Sequence, residues 1–271
     1  MTMNMANKSG KSVRSAVFIC VVFFTTFTMV KFTKTNTATP ESQNRRALSE
    51  SKRKLEFLHI PKNGGSAIEI AAREAGVTWG VCHFRQSKAV ECNNEPDIPR
   101  DIEMTEFQNH FGNRHHVPLQ FYAKNPFEDA DTFAVLRNPY SRYVSEYYCL
   151  GLGGDDENNP DVMNRALQER IPQEFDHTHF LPQHHYIYDS TGRKMVDHIL
   201  SFENLHEDFS QLMETYDLDV KLHPKPAKYN YESSRLTTKD LYPETIAIIN
   251  RVAAQDFVLG GYEMVTSMDE P

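Results

Sequence analysis

The chain has 271 residues, with 39% hydrophobic and 24% charged side chains, the balance of a folded globular protein rather than a disordered one. Its net charge of -8 is uneven: residues 1–54 hold ten Lys/Arg against two acids, and residues 55–271 hold nineteen against thirty-five. A body at about -16 excludes a general nucleic-acid binder, because affinity for phosphate backbones comes mainly from clustered Lys and Arg.

The first predicted element is the uncharged run Ser15 to Val30, preceded by Lys8, Lys11 and Arg14. Sixteen helical residues span about 24 Å, short for a typical bilayer core and closer to a thin one. We read residues 15–30 as an uncleaved signal anchor after a cytoplasmic tail of residues 1–14. The alternative is a cleavable signal peptide, for which "TNTATP" offers only a weak cleavage site. Residues 31–54 are polar and proline-bearing, a flexible stem. Residues 55–271 then form one α/β domain, with strands alternating with helices around a parallel sheet.

Within it, "KLEFLHI" predicts a buried strand. A helix is predicted over Ser66 to Ala75, where Ile68, Ala71, Ala72 and Ala75 share a face and Gly76 stops it. Residues 77–125 read as irregular loops. A second strand, Asp131 to Leu136, runs into a helix with Asn138 as N-cap and Pro139 as first residue. "GLGGDDENNPD" reads as loop, and "VDHILSFENL" as a third strand followed by a helix from about His206 to Tyr216. One last helix is predicted over Pro243 to Phe257. Cys82 and Cys92 could close a short loop, leaving Cys149 unpaired; three reduced thiols satisfy the spacing equally well.

Two strand ends carry chemistry. In "HIPKNGGSAIE" the glycines let consecutive N–H groups converge, the helix N-terminus adds its positive dipole end, and Lys62 and Ser66 supply a charge and a hydroxyl. That is a cradle for a phosphate-like group made by Lys62, Asn63, Gly64, Gly65 and Ser66. It is not a Walker loop, whose lysine directly follows the last glycine. In "VLRNPYSRYVSEYY", Arg137 stands at the carboxyl end of a strand, where open α/β sheets bind ligands, and Ser145 sits two turns along the next helix. Two anion sites at two strand ends predict one ligand with phosphates at both ends. Between them, His115 and His116 offer a general base near neutral pH, with Glu69 as a further candidate. The run His177 to His185 holds four histidines but has no cysteine near it in sequence, so we do not expect it to hold zinc.

These motifs resemble those of the membrane-bound Golgi carbohydrate sulfotransferases, nearest the heparan sulfate 2-O- and 6-O-sulfotransferase type. "FLHIPKNGGSAIE" resembles their 5′-phosphosulfate loop, "VLRNPYSRYVSEYY" their 3′-phosphate motif, and "SFENL" a strand-to-helix junction of the family. Asn63 departs from the threonine common there. The resemblance covers Leu55 to Tyr262 and implies 3′-phosphoadenosine 5′-phosphosulfate as co-substrate, without a metal. It implies a P-loop-like sheet flanked by helices, with Lys62 and the loop around the phosphosulfate and Arg137 and Ser145 on the 3′-phosphate. It also implies His116 as the base, because the 2-O- type enzymes place a histidine followed by valine there. The expected protein is a single-pass type II enzyme of the Golgi membrane, its catalytic domain lumenal, that sulfates a glycan. A basic strip near Lys221, Lys225 and Lys228 could serve a polyanionic acceptor. The rival readings are a P-loop-like small-molecule kinase and a non-catalytic lumenal binder on a degenerate fold.

Overall fold

The computed structural model describes residues 53–79, 116–122, 125–176, 178–224 and 235–268, all within one compact unit of residues 51–271. The expected tail, anchor and most of the stem, together with His115, His177, Cys82, Cys92, Lys225 and Lys228, lie outside them. Among the described residues no helix is long and apolar enough to cross a membrane.

Among the described residues, three parallel strands stand in the order β1 (Lys54–Phe57), β2 (Ala130–Leu136), β3 (His198–Ser201). Lys54 faces Ala130 across the first pair, and Phe133 faces His198 across the second. As the middle strand, β2 is buried on both faces, which is why Phe133 to Leu136 is an unbroken apolar run. Its side chains alternate all the same. Phe133 and Val135 join Leu55, Phe57 and Leu200 on one face, under α1 (Gly65–Glu74) and α5 (Leu205–Tyr216). Ala134 and Leu136 face the other way, onto Leu58, Ile60 and Leu181 and the short helix α4 (His184–Ile187). A third apolar cluster joins α2 (Pro139–Cys149), α3 (Pro160–Arg170), α6 (Pro243–Val252) and α7 (Ala254–Gly260) with Ile171, Phe180 and Leu241 of the connecting segments.

The α/β reading with a parallel sheet therefore holds, with differences at particular elements. The first helix begins one residue earlier, at Gly65, because Gly64 in the left-handed region serves as its N-cap. The segment read wholly as loop ends in α3, whose N-cap Asn159 accepts from the Asp161 N–H. The single last helix is two. Its chain breaks at the buried Ala253 (φ -98°, ψ 20°), which redirects α7 so that Asp256 meets the segment before α4.

Candidate functional site

The first loop follows β1 and is bent by backbone alone. Lys62 has φ +66° and Gly64 φ +84°, so the chain alternates through the left-handed region, the arrangement that converges N–H groups on an anion. A lysine in that region carries strain, a frequent property of ligand loops. Among the described residues no side chain caps α1, leaving its first amides to whatever lies in front of them. Gly65 is required for a different reason: a Cβ there would sit 2.3 Å from the His59 ring nitrogen. Lys62 and Ser66 are half-buried at the rim.

Asn63 faces the other way. Its side chain is 1% exposed and donates to the Val135 carbonyl at 2.5 Å and to Gln183 Oε1 at 2.6 Å. Its N–H donates to the Ile60 carbonyl, so its place among the site residues reduces to holding the loop on β2. Gln183, inside the histidine run but given no role there, ties the whole site together. Oε1 also accepts from the Arg137 N–H, Nε2 donates to the Arg137 carbonyl, and its own N–H is held by Asp256.

The second motif meets the first directly. Arg137 Nη1 donates to the Lys62 carbonyl at 2.9 Å, its Nε to Ser141 Oγ, and its guanidinium lies 4.2 Å from the centre of the Phe202 ring. Asn138 caps α2 by accepting from the Tyr140 N–H, with Pro139 as first helical residue. Ser145 lies half-buried on the same helix. The "SFENL" segment braces this helix start, because Glu203 Oε1 accepts from the Asn138 N–H while Oε2 accepts from Ser201 and Tyr262. Arg142 is fully buried, with Nε on the Pro61 carbonyl and Nη2 on the His179 carbonyl.

Behind the loop runs a row of histidines. His116, 5% exposed, meets His59 edge-on at 4.6 Å and His179 edge-on at 4.8 Å. Glu69 holds His59 Nδ1 at 2.7 Å, and Glu146 holds His179 Nδ1 at 2.8 Å. Burial works against a charged His179, but its hydrogen bonds with Cys149 and Glu146 outweigh it and raise the ring to about 9. His59 and His179 lie in the motif segments without a predicted catalytic role. Their contacts with His116 join segments remote in sequence, and no local signal announces them.

The absence of a cysteine near the histidine run does not survive folding, for Cys149 lies beside His179. The two remaining described histidines of that run are committed differently. His184 pairs with Asp256 at 2.9 Å, and burial together with the neighbouring His184 lowers His185 to about 4. Lys221, from the expected basic strip, is paired with Asp219 at 2.7 Å.

The site therefore joins a strained anion loop, an arginine end and a buried histidine row. A family model described as Sulfotransferase family matches residues 45–263. No curated protein and no solved structure matches the chain.

Proposed function

The chain belongs to the sulfotransferase family, and from that premise we propose that it moves a sulfuryl group from 3′-phosphoadenosine 5′-phosphosulfate to a hydroxyl of a glycan. The observation that carries the reading is the Arg137–Lys62 hydrogen bond, which brings two anion motifs 75 residues apart to one place. A nucleotide with phosphate groups at both ends fits such a pair better than one with a single triphosphate tail.

The co-substrate supplies the activated sulfuryl group; the chain supplies charge, orientation and a proton acceptor. The α1 amides around Gly64, Gly65 and Ser66 hold the phosphosulfate end, and Lys62 neutralises charge growing on the departing phosphate oxygen. Arg137 and Ser145 hold the 3′-phosphate. His116 takes the proton of the attacking hydroxyl, with Glu69–His59 on one side and Glu146–His179 on the other fixing its position. The proposed setting is the Golgi lumen, behind a membrane anchor at residues 15–30.

The test is transfer of radiolabelled sulfate from the co-substrate to a panel of glycans by wild type and His116→Ala. Transfer by wild type, lost in the variant while 3′,5′-ADP binding persists, supports the reading. Equal transfer by both removes His116 as the base, and phosphate transfer from ATP-Mg²⁺ instead makes the protein a kinase.

A further inference from the structure

Cys149 closes α2 as an exposed free thiol. A side-chain hydrogen bond joins it to His179, whose Nδ1 lies 2.8 Å from Oε2 of the fully buried Glu146, about one turn earlier on α2. Sγ, a His179 ring nitrogen and a Glu146 oxygen all fall within 4.8 Å of one another. The order is nucleophile, imidazole, orienting carboxylate, the arrangement that activates a thiol. Glu146 Oε1 is buried without a hydrogen-bond partner among the described residues, so this carboxylate is directed at the ring alone.

The surroundings favour the anion on balance. Lys62 acts on the thiol from the β1–α1 loop, His116 stands edge-on to His179, and Arg142 donates to the His179 carbonyl. Desolvation, the Glu146 carboxylate and the C-terminal end of α2 work the other way. The His179 hydrogen bond wins, with Lys62 adding to it, and the thiol is held below its ordinary range. Nothing in sulfuryl transfer uses this group.

We propose that Cys149 is a modification site: it exchanges with small disulfides of the glutathione class, and the mixed disulfide obstructs the donor loop beside Lys62. Sγ attacks one sulfur of the disulfide, a new S–S bond forms as the old one breaks, and the departing thiolate takes a proton from solvent. Cys149 is thereby oxidised and the released half reduced. The attached group is bulky and anionic, next to a loop built for an anion. The obstruction rests on the sulfuryl-transfer reading; the reactivity does not.

The experiment uses the full-length protein at pH 6.5. Iodoacetamide alkylation of Cys149, followed by peptide mass spectrometry, runs about three to five times faster than that of N-acetylcysteine in the same tube, the gain in thiolate outweighing its lower intrinsic nucleophilicity. His179→Asn returns the rate to that of the free thiol; should that variant not fold, the wild-type rate decides. Glutathione disulfide places an adduct on Cys149 and abolishes both transfer and 3′,5′-ADP binding, dithiothreitol restores them, and Cys149→Ala keeps transfer throughout. Alkylation no faster than the free thiol, with no adduct, overturns the proposal, and an adduct that leaves 3′,5′-ADP binding intact overturns the obstruction. If untreated protein transfers no sulfuryl group, that reading fails by itself, while the alkylation rate and 3′,5′-ADP binding still decide this one.

Discussion

The helices that follow β1 and β2 begin in opposite ways. Helix α1 starts at an uncapped glycine, after a lysine forced into the left-handed region. Helix α2 starts at Asn138, whose side chain satisfies the Tyr140 N–H while Glu203 satisfies its own, and at Pro139, which has no N–H to satisfy. The first therefore offers backbone donors to an anion, whereas the second has turned the N–H groups of Asn138 and Tyr140 inward onto side chains. What α2 and the strand before it have left to offer is side chains, Arg137 and Ser145. The proposed binding site thus combines a backbone half and a side-chain half, and the first half tolerates substitution less because its donors depend on conformation.

Substitutions in the backbone half carry the largest expected effects. Gly65→Ala drives a methyl group into the His59 ring and displaces either the loop or the histidine row. Lys62→Ala keeps the fold and removes the charge, lowering kcat by about a hundred- to a thousandfold in a transfer assay, the scale of losing one transition-state donor. An unchanged kcat in Lys62→Ala would remove the lysine from the chemistry. Next is the tie between the halves. Gln183→Leu leaves the Asn63 amide and the Arg137 backbone short of partners. We expect about 1–3 kcal/mol of lost stability in urea denaturation for each buried group left unsatisfied, together with weaker 3′,5′-ADP binding.

Asn138→Ala tests the capped half and has a smaller effect, about 1 kcal/mol of stability from the lost cap. Donor affinity changes little, since the α2 amides are not the ones that bind. The smallest effect is in acid. Burial works against a charged Glu203, but hydrogen bonds from the Asn138 N–H, Tyr262 and Ser201 hold its carboxyl below the ordinary 4.5. A depressed carboxyl stabilises the fold above its unfolded value, and that contribution is lost as pH falls through the folded one. Wild-type urea midpoints should therefore drop below about pH 4.5 more steeply than those of Glu203→Gln; parallel curves would show that Glu203 contributes nothing there.

Much of this site was legible in local sequence, where the physics is itself local. Glycines after a strand, an Asn-Pro helix start and an arginine at a strand end each act within a few residues, and each stands where the pattern placed it. The Asn159–Pro160 start of α3 carries the same signature as Asn138–Pro139, yet lay inside a run of glycines and acids that masked it. What escaped is non-local. Gln183 reaches Asn63 across 120 residues, and His179 reaches Glu146 across 33. Asn63 shows the converse: a polar residue in a ligand motif, turned inward because β2 and Gln183 have partners for it. Sequence patterns name the residues of a motif without saying which face of the loop each occupies.

The two halves, on this view, hold opposite ends of one nucleotide. Calorimetric titration with 3′,5′-ADP, 5′-ADP and ATP-Mg²⁺, on wild type and Arg137→Ala, tests that directly. Wild type should bind 3′,5′-ADP far more tightly than 5′-ADP, with Arg137→Ala erasing the difference. Equal affinity for 3′,5′-ADP and 5′-ADP, or tighter binding of ATP-Mg²⁺, would contradict it.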